Sequence, residues 1–123
     1  MFHLLVIDDE PSMGRLITLI AGADGMTVTY TTEGLHGIEL ARQKRPDMIL
    51  VDLFLWGKID GWETIGLLKQ DESLRHIPVV AMTAVGDLDH AYEMGCDDAL
   101  LKPFTPAMFR CHIARFQKAE SVA

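Results

Sequence analysis

No apolar run in the 123-residue chain approaches the ~20 residues that a membrane-crossing helix requires, which argues against a membrane span. Cysteine is scarce: Cys96 and Cys111 have neither metal-ligand nor redox spacing, and both are expected as small buried side chains in a reducing cytoplasm. Basic residues are outnumbered, 11 Lys and Arg against 18 Asp and Glu. The resulting net charge of −7 argues against direct nucleic-acid binding. Met1-Phe2-His3 supplies no basic segment ahead of an apolar one, so a secretory leader is not expected. Internal repeats, linkers and low-complexity tracts are also missing. What remains is 49% hydrophobic, enough in a single domain of this length for a core without disulfides or structural metal.

The most informative stretch is Asp47-Met48-Ile49-Leu50-Val51-Asp52. Met48 to Val51 is continuously apolar, the pattern of a short strand buried on both faces, yet it ends on a carboxylate. Leu4 to Ile7 repeats the pattern and ends on Asp8, Asp9 and Glu10. Pro11-Ser12 opens a helix with Met13, Leu16, Ile17 and Ile20 as its apolar face, stopped by Asp24-Gly25. Met26 to Tyr30 alternates, as a strand nearer the sheet edge does. Glu33 to Arg45 reads as a helix presenting Leu35, Ile38 and Ala41, closed by Pro46. Trp62, Ile65 and Leu68 mark a third helix ending near Asp71. Ile77 to Met82 is a buried strand running into Thr83-Ala84, and a short helix with Leu88, Ala91 and Tyr92 stops at Gly95. Ala99 to Leu101 is the last strand, ending on Lys102-Pro103, and Thr105-Pro106 caps a final helix with Phe109, Ile113 and Phe116 on one face.

Five strands alternating with five helices specify a three-layer α/β/α fold on a parallel sheet with right-handed crossovers. Ligands in such sheets bind beyond the carboxyl ends of the strands, where the strand order reverses. With the order 2-1-3-4-5, the first and third strands are neighbours there. Their tips bring Asp8, Asp9 and Asp52 together, and Thr83 and Lys102 arrive from the fourth and fifth strands.

Three carboxylates in one crevice repel, which raises their pKa values unless a cation is present. All-oxygen ligands with room for water and phosphate suit Mg²⁺ better than zinc, and none of the five histidines or two cysteines is at a strand tip. A lysine and a threonine hydroxyl beside such a cluster can hold phosphoryl oxygens. This is equipment for phosphoryl transfer, with Asp52 as the candidate nucleophile.

The residues Val6-Ile7-Asp8-Asp9-Glu10-Pro11, Ile49-Leu50-Val51-Asp52, Asp60-Gly61, Val80-Ala81-Met82-Thr83-Ala84, and Gly95-Cys96-Asp97-Asp98 running to Leu101-Lys102-Pro103-Phe104 resemble the response-regulator receiver domain of two-component signalling. The likeness covers nearly the full length. It implies a flavodoxin-like fold and a phosphoacceptor Asp52 that takes phosphate from a histidine kinase or histidine phosphotransfer protein. It implies that Asp9, Asp52 and the backbone carbonyl of Phe54 ligate Mg²⁺, with Asp8 acting through water. Thr83, the Ala84 backbone and Lys102 would bind the phosphoryl oxygens, and the Lys102-Pro103 peptide would be cis. The expected protein is a cytoplasmic signalling module, not a turnover enzyme, with an unknown downstream protein partner, no membrane, and a monomeric or weakly dimeric state.

Departures from the family are expected to alter output more than chemistry. Receivers usually carry Tyr, Phe or His three residues before the lysine, where this chain has Ala99, so the usual coupling of threonine to a swinging aromatic should be absent. The segment from Thr83 to Gly95 is about one helical turn shorter than usual. The loop Leu55-Trp56-Gly57-Lys58-Ile59 reaches Asp60-Gly61 one residue later than usual, and Trp56 is expected to pack on its rim, with a docking contact as the alternative. Phe54 and Val85 occupy the positions, two after Asp52 and two after Thr83, that set phosphoryl lifetime in receivers. Both are apolar, so slow autodephosphorylation is expected. About twenty residues follow Lys102, enough for the last helix and a flexible tail at 118–123. The sequence therefore reads as one receiver domain over 1–123, either standing alone or cut from a longer protein.

Three rival readings fit parts of this pattern. A phosphatase of the haloacid dehalogenase type wants a second Asp where Phe54 stands. A flavin carrier wants a hydroxyl- and glycine-rich loop where Asp8-Asp9-Glu10 stands. A degenerate receiver acting only as a scaffold is the third, kept open by Ala99.

Overall fold

The computed structural model describes residues 1–84 and 88–122. Ten elements follow in strict alternation: β1 His3–Ile7, α1 Pro11–Ala23, β2 Thr27–Thr31, α2 Gly34–Lys44, β3 Met48–Asp52, α3 Gly61–Gln70, β4 Val79–Thr83, α4 Leu88–Glu93, β5 Asp98–Leu101 and α5 Pro106–Val122. The strands form one sheet in the order β2-β1-β3-β4-β5, with every pairing parallel. This is the flavodoxin-like architecture expected from the sequence.

The continuous apolar runs have a simple cause. Alternate side chains of each central strand enter different cores, because successive residues point to opposite sides of the pleat. Leu5, Ile7, Ile49, Val51, Val79 and Ala81 pack with Ile38 and Ala41 of α2, Ile65 and Leu68 of α3 and Ala91 of α4. Leu4, Val6, Met48, Leu50, Val80 and Met82 pack with Ile17, Ile20 and Ala21 of α1 and Phe109 and Ile113 of α5.

Several local expectations need correction. Leu16 and Leu35 are exposed; the buried faces of α1 and α2 use Gly14 and Gly37, where a Cβ would lie 2.7 Å from the Tyr30 ring and 2.3 Å from Ile7 Cδ1. Tyr92 is likewise exposed. Met26 precedes β2 because its N–H closes the end of α1 on the Ala21 carbonyl. Ile77 and Pro78 precede β4: the Ile77 N–H turns back to the Leu74 carbonyl. Cys96 is buried, but Cys111 is exposed. It stands two positions from both Phe109 and Ile113, so it turns away from the stripe that they bury. The final helix runs on through Val122, across most of the expected tail. Val85, the side chain of Leu88 and Ala123 lie outside the described residues. No helix among the described residues is long and apolar enough to cross a membrane.

Candidate functional site

Backbone hydrogen bonds carry the parallel ladder beyond the strands and hold their tips in place. Asp8 N–H donates to the Thr31 carbonyl at 3.1 Å, Leu53 N–H to Met82 at 3.0 Å, and Lys102 N–H to Thr83 at 2.7 Å. The Tyr30 hydroxyl donates to the Asp8 carbonyl at 2.6 Å. On the far side, α3 starts in a capping box: Asp60 accepts from the Glu63 N–H at 2.9 Å and Glu63 from the Asp60 N–H at 3.2 Å. Gly61, the first residue of that helix, comes so close that a Cβ there would stand 2.1 Å from the Asp52 carbonyl oxygen. Only glycine permits this approach of helix to strand end.

Asp8 and Asp52 are oriented in the same way. Asp8 Oδ1 accepts the Glu10 N–H at 2.9 Å, and Asp52 Oδ1 accepts the Phe54 N–H at 3.0 Å. Each bond to the amide two residues on is a turn that aspartate makes readily. It leaves both Oδ2 atoms facing Lys102, whose Nζ is 2.7 Å from Asp8 and 3.4 Å from Asp52. Asp8 is 0% exposed and Asp52 4%. Asp8, Asp9 and Asp52 each offer an oxygen to one point, the three lying within 4.8 Å of one another. The Lys102–Pro103 peptide is cis.

The electrostatics follow from this crowding. Burial raises the Asp8 pKa; the hydrogen bond from Lys102 opposes the rise without cancelling it. Asp9 is raised by burial and by the neighbouring Asp52 charge. Burial alone would lower Lys102, but its hydrogen bond and ion pair with Asp8, aided by Asp52, hold it above the ordinary lysine value. Asp8, Asp9, Asp52 and Lys102 together carry a formal excess of two negative charges, the charge of one divalent cation. Three carboxylate oxygens and no soft donor suit a hard cation, so the residues present fit Mg²⁺.

A cavity of about 300 Å³ opens at these tips, lined by Asp9, Glu10, Asp52, Phe54, Trp56, Ala84 and Lys102. Asp8 and Thr83 are buried beneath it. Trp56 does not pack down on the rim; it is 81% exposed. Glu10, in the acidic triplet, is a cavity residue that the sequence pattern gives no role of its own, while Trp56, four residues after Asp52, carries a docking contact only as its alternative reading. Ala99 packs against the α2–α3–α4 side of the core, on the opposite face of β5 from Leu100.

Comparison with known proteins agrees with this geometry. Residues 4–114 match the family model described as the response regulator receiver domain. The chain is 35% identical over 109 residues to the polar-differentiation response regulator DivK of Brucella anthropi, covering 86% of this chain and 88% of that protein. It is 36% identical over 105 residues to the DNA-binding dual master transcriptional regulator RpaA of a Synechocystis strain, covering 83% of this chain but only 43% of that relative. Among solved structures, the receiver domain of the sensor histidine kinase PA1611 from Pseudomonas aeruginosa superposes with a TM-score of 0.85 at 28% identity, covering 94% of this chain and 96% of that one. That structure has a magnesium ion coordinated in its active-site cleft. On its sequence, its fold and the acidic tips of its strands, the chain belongs to the response regulator receiver domain family of two-component signalling.

Proposed function

We propose that residues 1–123 form a single cytoplasmic receiver domain that accepts a phosphoryl group on Asp52 from a phosphohistidine of a histidine kinase or phosphotransfer protein, and signals by protein–protein contact. The observation that carries this reading is the convergence of Asp8, Asp9 and Asp52 within 4.8 Å beside the Lys102 ammonium.

In this reading Asp9, Asp52 and the Phe54 carbonyl hold Mg²⁺, with Asp8 contributing through water. The ion, when bound, neutralises charge that builds on the phosphoryl oxygens. Asp52 Oδ2 attacks phosphorus, the P–N bond breaks, and its electron pair leaves with the imidazole. Phe54 N–H fixes the other oxygen of Asp52, so that one lone pair is presented without a search over rotamers. Thr83, the Ala84 backbone and Lys102 bind the phosphoryl oxygens; Lys102 is already poised at 3.4 Å from Asp52. Phe54 crowds the approach of water, and with Val85 it makes loss of the phosphoryl group slow.

Incubation with Mg²⁺ and acetyl phosphate, followed by intact mass measurement, tests the proposal. One phosphoryl adduct on the wild-type protein and none on Asp52→Asn is expected. No adduct on the wild type would leave a phosphorylation-independent scaffold, and continuous phosphate release would indicate a phosphatase.

A further inference from the structure

The phosphoacceptor cavity has two chemically different halves. One is ionic, made of Asp9, Glu10, Asp52 and Lys102; the other is aromatic, made of Phe54 and Trp56. Both aromatic side chains are exposed, and Trp56 is 81% so; both also line a second, smaller cavity with Leu53, Leu55 and Trp62. Burying the indole there would remove a large apolar surface from water. The indole stays largely exposed instead, and it also forms a wall of the crevice that holds Asp52. Whatever brings phosphorus to Asp52 comes within reach of that ring.

We infer that Trp56 is a specificity-determining residue that receives the imidazole ring of a phosphohistidine donor, with Phe54 beside it. The inference rests on the receiver chemistry proposed above and adds the recognition of the leaving group. A crevice of about 300 Å³ holds a phosphoryl group and one five-membered ring. The charge pattern selects the form of that ring. With Asp9 given to Mg²⁺ and Lys102 to the phosphoryl oxygens in that reading, Glu10 is the carboxylate of the lining left beside the indole, and a carboxylate together with an aromatic face favours a cation over a neutral ring.

A phosphoimidazole protonated on its unsubstituted nitrogen is such a cation, and it is also the better donor. When Asp52 attacks phosphorus, the O–P bond forms and the P–N bond breaks. The bonding pair stays on the departing nitrogen, and the proton already carried by the other nitrogen makes the product neutral imidazole. No further acid is required. An acyl phosphate has no ring to place, so it gains nothing from Trp56.

The test compares two small donors, phosphoimidazole and acetyl phosphate, on the wild-type protein, Trp56→Ala and Trp56→Phe, following adduct formation by intact mass. Trp56→Ala should slow transfer from phosphoimidazole about five-fold, the size of one exposed cation–π contact, and change transfer from acetyl phosphate less than two-fold. Trp56→Phe should recover most of the loss. In Asp52→Asn, which cannot react, phosphoimidazole should quench indole emission, and Trp56→Phe in that background should remove the quench. Equal slowing with both donors, or no change with either, would overturn the assignment. No adduct on the wild type from either donor would overturn the receiver chemistry itself, and this assignment with it.

Discussion

Lys102 Nζ stands 2.7 Å from Asp8 Oδ2, joining residues 94 positions apart in the chain. In the sheet, β3 and β4 separate the strands that end beside these two residues. The ammonium therefore reaches across two intervening strand tips and draws the ends of β1 and β5 together over Asp52. One cation facing three carboxylates leaves the crevice short of positive charge, and the first prediction comes from that deficit.

Magnesium should stabilise the fold. At a hundred times its Kd, a ligand that binds only the native state contributes about 2.7 kcal/mol, roughly 10 °C in Tm for a domain of this size. The shift should also depend on pH. Asp8 and Asp9 titrate above their ordinary value, so the folded state holds protons that the unfolded state has released. Without metal, their contribution to stability declines as pH rises above about 4, the ordinary aspartate value. Thermal melts should show a larger magnesium shift at pH 7.5 than at pH 5, and a much smaller one in Asp9→Asn. A shift independent of both would count against a metal site at these carboxylates.

Gly61→Ala should damage both stability and phosphorylation. Its Cβ would meet the Asp52 carbonyl oxygen at 2.1 Å and Leu53 Cα at 2.5 Å. Those are backbone atoms that no rotamer change can move. A loss of about 1–3 kcal/mol is expected, with slower phosphorylation of the fraction that remains folded. Gly22→Ala, in α1 with open space around it, is the control and should be neutral or slightly stabilising. Urea titration of the pair measures the difference.

Asp98 on β5 is the centre of a second ionic cluster. It meets His112 Nδ1 at 2.5 Å and Arg115 at 3.0 Å, and the Tyr92 hydroxyl donates to it at 3.5 Å. Burial pushes its pKa up, but the His112 hydrogen bond, aided by the Arg115 charge, holds it below the ordinary value. A carboxylate with a lowered folded pKa adds stability above its unfolded pKa and loses it as pH falls through the folded one. The Tm gap between wild type and Asp98→Asn should be widest near neutrality and narrow below about pH 4. A gap constant from pH 7 to pH 3 would refute the ion pairing.

The two thiols should differ in reactivity. Cys111 is exposed and Cys96 buried, with burial pushing the Cys96 thiol up to about 11. A thiol-reactive reagent at neutral pH should modify one site promptly, lost in Cys111→Ser. The second should react only when denaturant opens the core. Prompt labelling of both would mean that the Cys96 side of the core opens easily.

The strand runs and their carboxylate ends were legible in the sequence because burial on two faces leaves no polar alternation. Asp8, Asp52 and Lys102 meet because the order β2-β1-β3-β4-β5 sets the ends of β1 and β3 side by side; alternation and right-handed crossovers also admit other orders, and the resemblance to receivers is what pointed to this one. Buried helix faces were less legible. Gly14 and Gly37 carry no hydrophobic signal, yet they face the sheet because Tyr30 and Ile7 fill the space that a side chain would need. Leu16 and Leu35 fit a helical period equally well and point outward. The exposure of Trp56 was also hidden, since an aromatic in a loop gives no periodicity to place it. Glu10 gives no separate signal, because an acidic strand end is already explained by Asp8 and Asp9 beside it.

The ladder of parallel pairs bears on how this chain can change in length. Ile7 stands opposite Val51, Asp52 opposite Met82, and Thr83 opposite Leu101. Deleting one residue inside β1 or β3 would turn its tip to the other side of the sheet, and the acidic residues would no longer converge. An extra residue after Asp52 does no such harm, because it falls past the last paired position. Insertions can therefore accumulate at the mouth of the crevice, where they remodel access, while the spacing of the charged groups is inherited unchanged from the strands.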